Sequence, residues 1–256
     1  MDALRDTWYL FLRLVRATLR MPVFVIISIV QPMLWVLLFG QLFRSVTTIR
    51  GFGASSYVQF LAPGIAIMTA LFGAAYSGMG ILGDIDRGVL DRLLATPVSR
   101  GALIAARILH AATQVILQAL IILGVATLLG ARPHGGVAGV GVVLLAAALL
   151  GAAFAAFSNA LALLARRQEI VIAVMNFVVL PMTFLSSMIM SRNLMPPWIL
   201  AISRFNPVNW AVIAARDGFE GRAPEELAAC LALLAGFTLI CGALSTRAFG
   251  RYRRAL

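Results

Sequence analysis

Apolar residues fall in six long blocks, each closed by charge, glycine or proline. A helix that crosses a hydrocarbon core needs about 20 apolar residues in a row. Six blocks reach that length: Pro22 to Phe43, Tyr57 to Leu82, Ile108 to Ala131, Val137 to Ala165, Ile170 to Ser191 and Leu227 to Thr246. None of them contains Asp, Glu or Arg. The pattern predicts an all-α polytopic membrane protein with six transmembrane helices, one transmembrane domain over residues 1–256, with no internal repeat and no soluble domain.

Three stretches break the pattern. In residues 1–20, Arg5, Arg13, Arg16 and Arg20 fall within an arc of about 80° on a helix, and Leu4, Trp8, Leu12, Val15 and Leu19 share the neighbouring face. Such a stretch predicts an amino-terminal helix lying in the membrane interface, turned into the first span at Met21-Pro22. It mixes charge with bulky apolar residues and lacks the separate basic region, short apolar core and cleavage site of a signal peptide, so it is expected to stay on the protein.

Residues 83–101 read GDIDRGVLDRLLATPVSRG. Ile85, Val89 and Leu93 recur every four residues with Leu90 and Leu94 beside them, while Asp84, Asp86, Arg87, Asp91 and Arg92 are polar. The spacing predicts an amphipathic helix of about three turns, acidic at its positive end and stopped at Thr96 by Pro97. A solvated connector needs no apolar stripe. The stripe calls for a partner or a lipid surface, and three carboxylates beside anionic lipid favour a protein. Residues 192–226 are too long for a turn, and hold two short apolar pieces, PPWILAI and NWAVIAARDGF, on either side of Asn206-Pro207. Irregular backbone near lipid survives only under cover, so short re-entrant helices before the last span are expected. A simple lid with an interfacial belt at Trp198 and Trp210 is the other reading.

Composition agrees. Of 256 residues 61% are hydrophobic and only 12% charged, outside the range of soluble domains. All 21 basic residues are arginine. With the amino terminus inside, fourteen of them lie in cytoplasmic segments and seven in outer ones, which predicts both termini in the cytoplasm. The arginines are dispersed between apolar runs, not gathered on a soluble module, so no nucleic acid partner is expected. Cys230 and Cys241 would lie about 16 Å apart along one helix, too far for a disulfide.

The chain carries no engine of its own. A P-loop needs a lysine to reach the phosphates, and the sequence has none. Energy must come from another chain or from an ion gradient. A proton-coupled carrier usually keeps a carboxylate inside the membrane; all ten acidic residues lie outside the blocks, with Glu169 at a boundary. No catalytic residue and no metal site is assigned. His110 and His134 are the only histidines, and His110, one turn after Arg107, suits a hydrogen-bonded interface better than catalysis. Asn159, Asn176, Gln114 and Gln118 are read as interhelical glue before substrate ligands.

Four motifs, in order along the chain, carry a resemblance: VQPMLWVLLFGQLF, YVQFLAPGIAIM, RGVLDRLLATPVSRGALIAARIL and MPPWILAISRFNPVNWAVIAARD. Together they resemble the permeases of second-class, ABCG-like ABC exporters, whose bacterial members export drugs, lipids and polysaccharides. Val89 stands where that family often has Thr, and Asp91 where it usually has Glu. The resemblance implies a permease subunit in a bacterial plasma membrane, surrounded by lipid, assembled as a homodimer with two ABC ATPase subunits. Those would use ATP and Mg; this chain would bind no cofactor. It implies that residues 83–101 form the coupling segment, with Leu90 and Leu94 filling an apolar groove of the ATPase, Asp84, Asp91 and Arg87 orienting it on the rim, and Thr96-Pro97 fixing the exit. It further implies a substrate path on the two-fold axis along the second and fifth spans, where Met68, Phe72, Phe177 and Phe184 are candidate lining groups, with core packing as the other reading for each. The outer gate would hold Pro196, Pro197, Trp198, Asn206, Pro207 and Arg216. The cargo would be an amphipathic drug-like or lipid-linked compound. An ion-gradient-driven multidrug carrier and a non-transporting scaffold stay open.

Overall fold

The computed structural model describes residues 3–43, 45, 56–94, 99–222 and 224–254, and among these every regular element is helical. In chain order they are α1 (Ala3–Leu19), α2 (Pro22–Leu42), α3 (Tyr57–Ala75), α4 (Gly78–Asp86), α5 (Val89–Leu94), α6 (Arg100–Leu128), α7 (Gly136–Ala165), α8 (Gln168–Phe184), α9 (Pro197–Ser203), α10 (Pro207–Glu220) and α11 (Pro224–Arg254), with one turn of 3-10 helix at Arg192–Leu194. Starts follow local chemistry. Ser56 and Ser99 accept from the backbone N–H of Gln59 and Ala102, and so cap α3 and α6. Pro22 and Pro207 sit in first turns, where a missing N–H costs nothing.

Among the described residues, four helical stretches are long and apolar enough to cross a membrane: residues 57–86, 101–128, 136–165 and 224–250. The first is α3 continued by α4 across a turn at Tyr76-Ser77. α2 and α8 are the shorter apolar helices. The 21 residues of α2 rise about 31 Å, but the 17 of α8 rise only about 25 Å, short of a typical core. The fifth block, expected to stay helical to Ser191, therefore stops at Phe184 and continues as irregular backbone.

The charged stretch also differs from its expected form. It is not one three-turn helix: α4 carries it to Asp86, and a turn at Arg87-Gly88 separates it from the six residues of α5. Gly88 has φ +64°, the left-handed region that glycine enters without a Cβ clash, and it breaks the rod in two.

α7 is the hub, packed against α3, α4, α6, α10 and α11. Its alanine and glycine repeats let neighbours approach closely, as small residues do between helices in lipid. At Gly139 a Cβ would drive into the carbonyl oxygen of Gly218 on α10, whereas at Gly141 it would meet open space. Gly139→Ala should therefore cost about 2 kcal/mol by overpacking, while Gly141→Ala should be neutral or slightly stabilising. Thermal unfolding of the two variants in detergent separates these outcomes.

Buried side chains form one large cluster around α3, α6, α7 and α10 and a second at the inner end that includes Ile81, Leu90, Leu103, Leu163, Met175 and Phe249. α1 lies along α6. Large apolar side chains remain exposed on α2, α8 and α9, among them Ile26, Leu38, Phe177, Phe184 and Trp198. Lipid or protein must cover such faces.

Candidate functional site

The end of the bundle that carries α5 is organised around one carboxylate; it is called the inner end for the orientation that the arginine distribution predicts. Asp84 on α4 is buried, and Arg13 on α1 donates to both of its oxygens, at 3.1 and 3.0 Å. Arg107 on α6 donates to its Oδ2. One anion thus ties α1, the end of α4 and the start of α6 into a single node. Beside it Thr18 Oγ1 and His110 Nε2 lie 2.9 Å apart, so His110 is hydrogen-bonded between α1 and α6.

Two residues of the expected coupling segment turn into this chain. Leu90, expected to fill a partner's groove, is fully buried in the inner cluster of this chain, and Asp84, expected on a docking rim, faces inward. Both are claimed by intramolecular packing because the turn at Gly88 folds α5 back against α4. What the segment exposes is Asp86, Arg87 and Arg92, with Arg87 Nε donating to the Gly83 carbonyl at 2.7 Å. Thr96 and Pro97 lie outside the described residues, as do the side chains of Asp91 and Leu94.

The opposite end, outer in the same predicted orientation, is a cap made by side chains on irregular backbone. Where α8 stops, Asn206 Nδ2 donates to the carbonyls of Met182 and Leu185, at 2.7 and 3.0 Å, while its Oδ1 accepts from Val208 N and caps α10. Asn209 Oδ1 accepts from both N–H and Oγ of Ser187, at 2.9 and 2.8 Å, and its Nδ2 donates to the Ser203 carbonyl. Arg216 Nη2 donates to the Ser187 and Met188 carbonyls, with its guanidinium 3.7 Å above the Phe60 ring. Backbone left open at membrane depth is tolerated when protein satisfies it, and these three residues do so here.

The segment between 192 and 226 holds two short helices, α9 and α10, and α10 is largely buried between α3, α7 and α11. The six gate candidates separate into two groups. Asn206, Pro207 and Arg216 belong to the cap, whereas Pro196, Pro197 and Trp198 are exposed at the start of α9. Trp210 Nε1 donates to the Arg204 carbonyl at 2.7 Å.

Next to the cap, burial pushes the Asp217 carboxyl up to about 6, with Glu226 adding repulsion and Arg216 opposing it. The folded state thus holds its proton more tightly than the unfolded state, whose value is 3.8. Stability should be higher near pH 4 and decline as pH rises through 4 to 6, by about 1 kcal/mol after allowance for the solvent that reaches the group. Asp217→Asn should flatten that part of the stability profile; an unchanged slope would place the proton elsewhere.

The four path candidates are not gathered in one chamber of the protomer. Met68 and Phe72 are partly buried against the main core on α3, while Phe177 and Phe184, seven residues apart on one face of α8, are 80% and 69% exposed. α3 and α8 do adjoin, and Tyr76 OH donates to Asn176 Oδ1 at 2.6 Å, so Asn176 is glue as expected. Asn159 and Gln118 are not: both Asn159 amide atoms and Gln118 Oε1 are buried without a partner. The sequence reading missed Arg13, Arg107, Ser187 and Asn209 as parts of these sites. An arginine beside a polar face gives no sign of which distant carboxylate it will meet. It also missed Gln59, whose amide pairs with the N–H and carbonyl of Arg132, each at 2.7 Å, and so fixes the outer loop between α6 and α7.

Comparison with known proteins agrees with this arrangement. The chain is 27% identical over 229 residues to the daunorubicin resistance ABC transporter permease protein DrrB1 of Streptomyces coeruleorubidus, covering 89% of this chain and 80% of that one. It is 30% identical over 211 residues to the putative transport permease ycf38 of Cyanophora paradoxa, covering 82% and 72%. It is 25% identical over 259 residues to the inner membrane transport permease YadH of Escherichia coli K12, covering 97% and 96%. The family described as ABC-2 type transporter matches residues 5–219, from the interfacial helix through the outer cap, and the chain belongs to that family of membrane-spanning ABC permeases.

Proposed function

We propose that the chain is the membrane-spanning subunit of an ATP-driven exporter that moves an amphipathic drug-like or lipid-linked compound outward, powered by a separate ABC ATPase that uses ATP and Mg. The reading takes α2 and α8 as spans with the four longer crossings, six in all, in a bacterial plasma membrane with both termini cytoplasmic. Family membership favours a nucleotide-burning partner over an ion gradient, and the absence of any lysine leaves this chain without P-loop chemistry of its own.

One observation carries the coupling role. The exposed charges Asp86, Arg87 and Arg92 sit on a segment whose reverse side is anchored by Leu90 in the inner core and by Asp84 to α1 and α6. A push on that face is delivered to three helices at once, as a rigid element must for coupling between sites. Met68, Phe72, Phe177 and Phe184 remain path candidates in a homodimer whose two-fold axis would run beside α3 and α8; the exposure of Phe177 and Phe184 supports an intersubunit position for them.

The test reverses two exposed charges. Asp86→Arg with Arg92→Glu should reduce co-purification of the ATPase and transport-coupled hydrolysis at least tenfold, with normal membrane insertion. Full retention of both, or transport that continues without any ATPase and collapses with an uncoupler, would sink the proposal.

A further inference from the structure

We propose that a cavity at the inner end of the bundle binds the headgroup of an anionic phospholipid-like amphiphile, a phosphate diester that also carries hydroxyl groups. The cavity has a volume of about 510 Å³ and lies between α1, α3, α4, α6 and α7. That is within the range of sites that hold small organic groups. Its lining includes exposed Met21, where α1 turns into α2, and exposed Arg87, so it opens at the bundle surface in the plane where the interfacial helix lies.

Charge selects the ligand. Arg13, Arg87 and Arg107 line the cavity, and Asp84 is the only carboxylate among its lining residues. Asp84 already serves Arg13 and Arg107 together, so the wall is left with an excess of two positive charges, His110 being counted neutral. Such a wall repels a cationic amphiphile and attracts phosphate, to which guanidinium groups donate in pairs.

The far wall points to more than a bare anion. Asn159 is 1% exposed, and neither its Nδ2 nor its Oδ1 has a partner; Gln118 is 5% exposed, with Oε1 unpartnered. Buried polar atoms without partners are few in folded proteins and each is costly. Here both residues belong to the cavity lining, Gln118 from α6 and Asn159 from α7, and together they hold one unpartnered donor and two unpartnered acceptors. The donor suits a phosphate or ester oxygen, and the two acceptors require donors, which headgroup hydroxyls supply. Leu14, Met79, Ala111 and Val115 complete an apolar flank for the start of an acyl chain.

The cavity shares Arg87 with the docking face but reaches on to Asn159, which that face does not include, and its test needs no ATPase, so its failure leaves the export proposal standing and the reverse also holds. Purified full-length chain in neutral detergent is titrated with phosphatidylglycerol, phosphatidylcholine and inorganic phosphate and read by native mass spectrometry. Phosphatidylglycerol should bind at least tenfold tighter than phosphatidylcholine, and inorganic phosphate in excess should not displace it. Arg87→Gln and Asn159→Leu should each weaken phosphatidylglycerol binding at least threefold, and Asn159→Leu, which removes two unpartnered atoms, should not lower the unfolding midpoint. Equal affinity for the two lipids, wild-type binding in both variants, or full displacement by inorganic phosphate would each overturn the assignment.

Discussion

Asp84→Asn should destabilise the protein more than any other single change at the inner end, by about 3 to 5 kcal/mol, the usual cost of removing one partner from a buried ion pair. The substitution is nearly isosteric, so the loss is electrostatic: Arg107, whose side chain is 11% exposed, keeps a full charge with no anion beside it. Arg13 is 37% exposed and recovers part of its solvation from water, so its share is smaller. Thermal unfolding in detergent should show the fall. Adding Arg107→Met to Asp84→Leu should restore much of it, because a buried pair replaced by packed apolar groups is often neutral. A loss below about 1 kcal/mol for Asp84→Asn would mean that the node is hydrated and does not hold the three helices together.

Asn209→Leu should cost about 3 to 5 kcal/mol at the outer end, for a different reason. Leucine matches the volume, but Ser187 N–H, Ser187 Oγ and the Ser203 carbonyl each lose their partner in a site where Asn209 is 2% exposed. Each stranded group costs about 1 to 3 kcal/mol, and partial rearrangement keeps the total below the sum. Hydrogen exchange should rise selectively in residues 185–191, whose backbone has no helix to fall back on. Asn209→Asp keeps the acceptor for Ser187 and should be milder at low pH than at neutral pH, where it buries a charge. If exchange in this segment stayed at the wild-type level in Asn209→Leu, the cap would be held by Asn206 and Arg216 alone.

The two ends answer different needs. At the inner end an ion cluster fixes a short, charged segment to the body of the protein, so that its exposed face and its anchored face work as one piece. At the outer end neutral amides and one arginine replace the missing helix turns between Phe184 and Ser191.

The sequence by itself determined the membrane class and the places of the helical blocks, the amino-terminal helix and the short helices after residue 192 included, because each is written in local periodicity and in proline or capping signals. It also carried the family, in short motifs around Pro32, Pro63, Leu90 and Asn206. It could not show that Leu90 turns inward, since an amphipathic stripe looks the same whether it meets a partner or its own core. Only the fold decided that, through the positive φ of Gly88 and the pull of Arg13 and Arg107, 71 and 23 positions away from Asp84. Likewise the early end of α8 was hidden by an unbroken apolar run, and became possible only where Asn206, Asn209 and Arg216 were brought against its open backbone. Hydrophobicity is a property of neighbouring residues and can be read along a chain, whereas the pairing of buried polar groups joins distant ones and exists only in three dimensions.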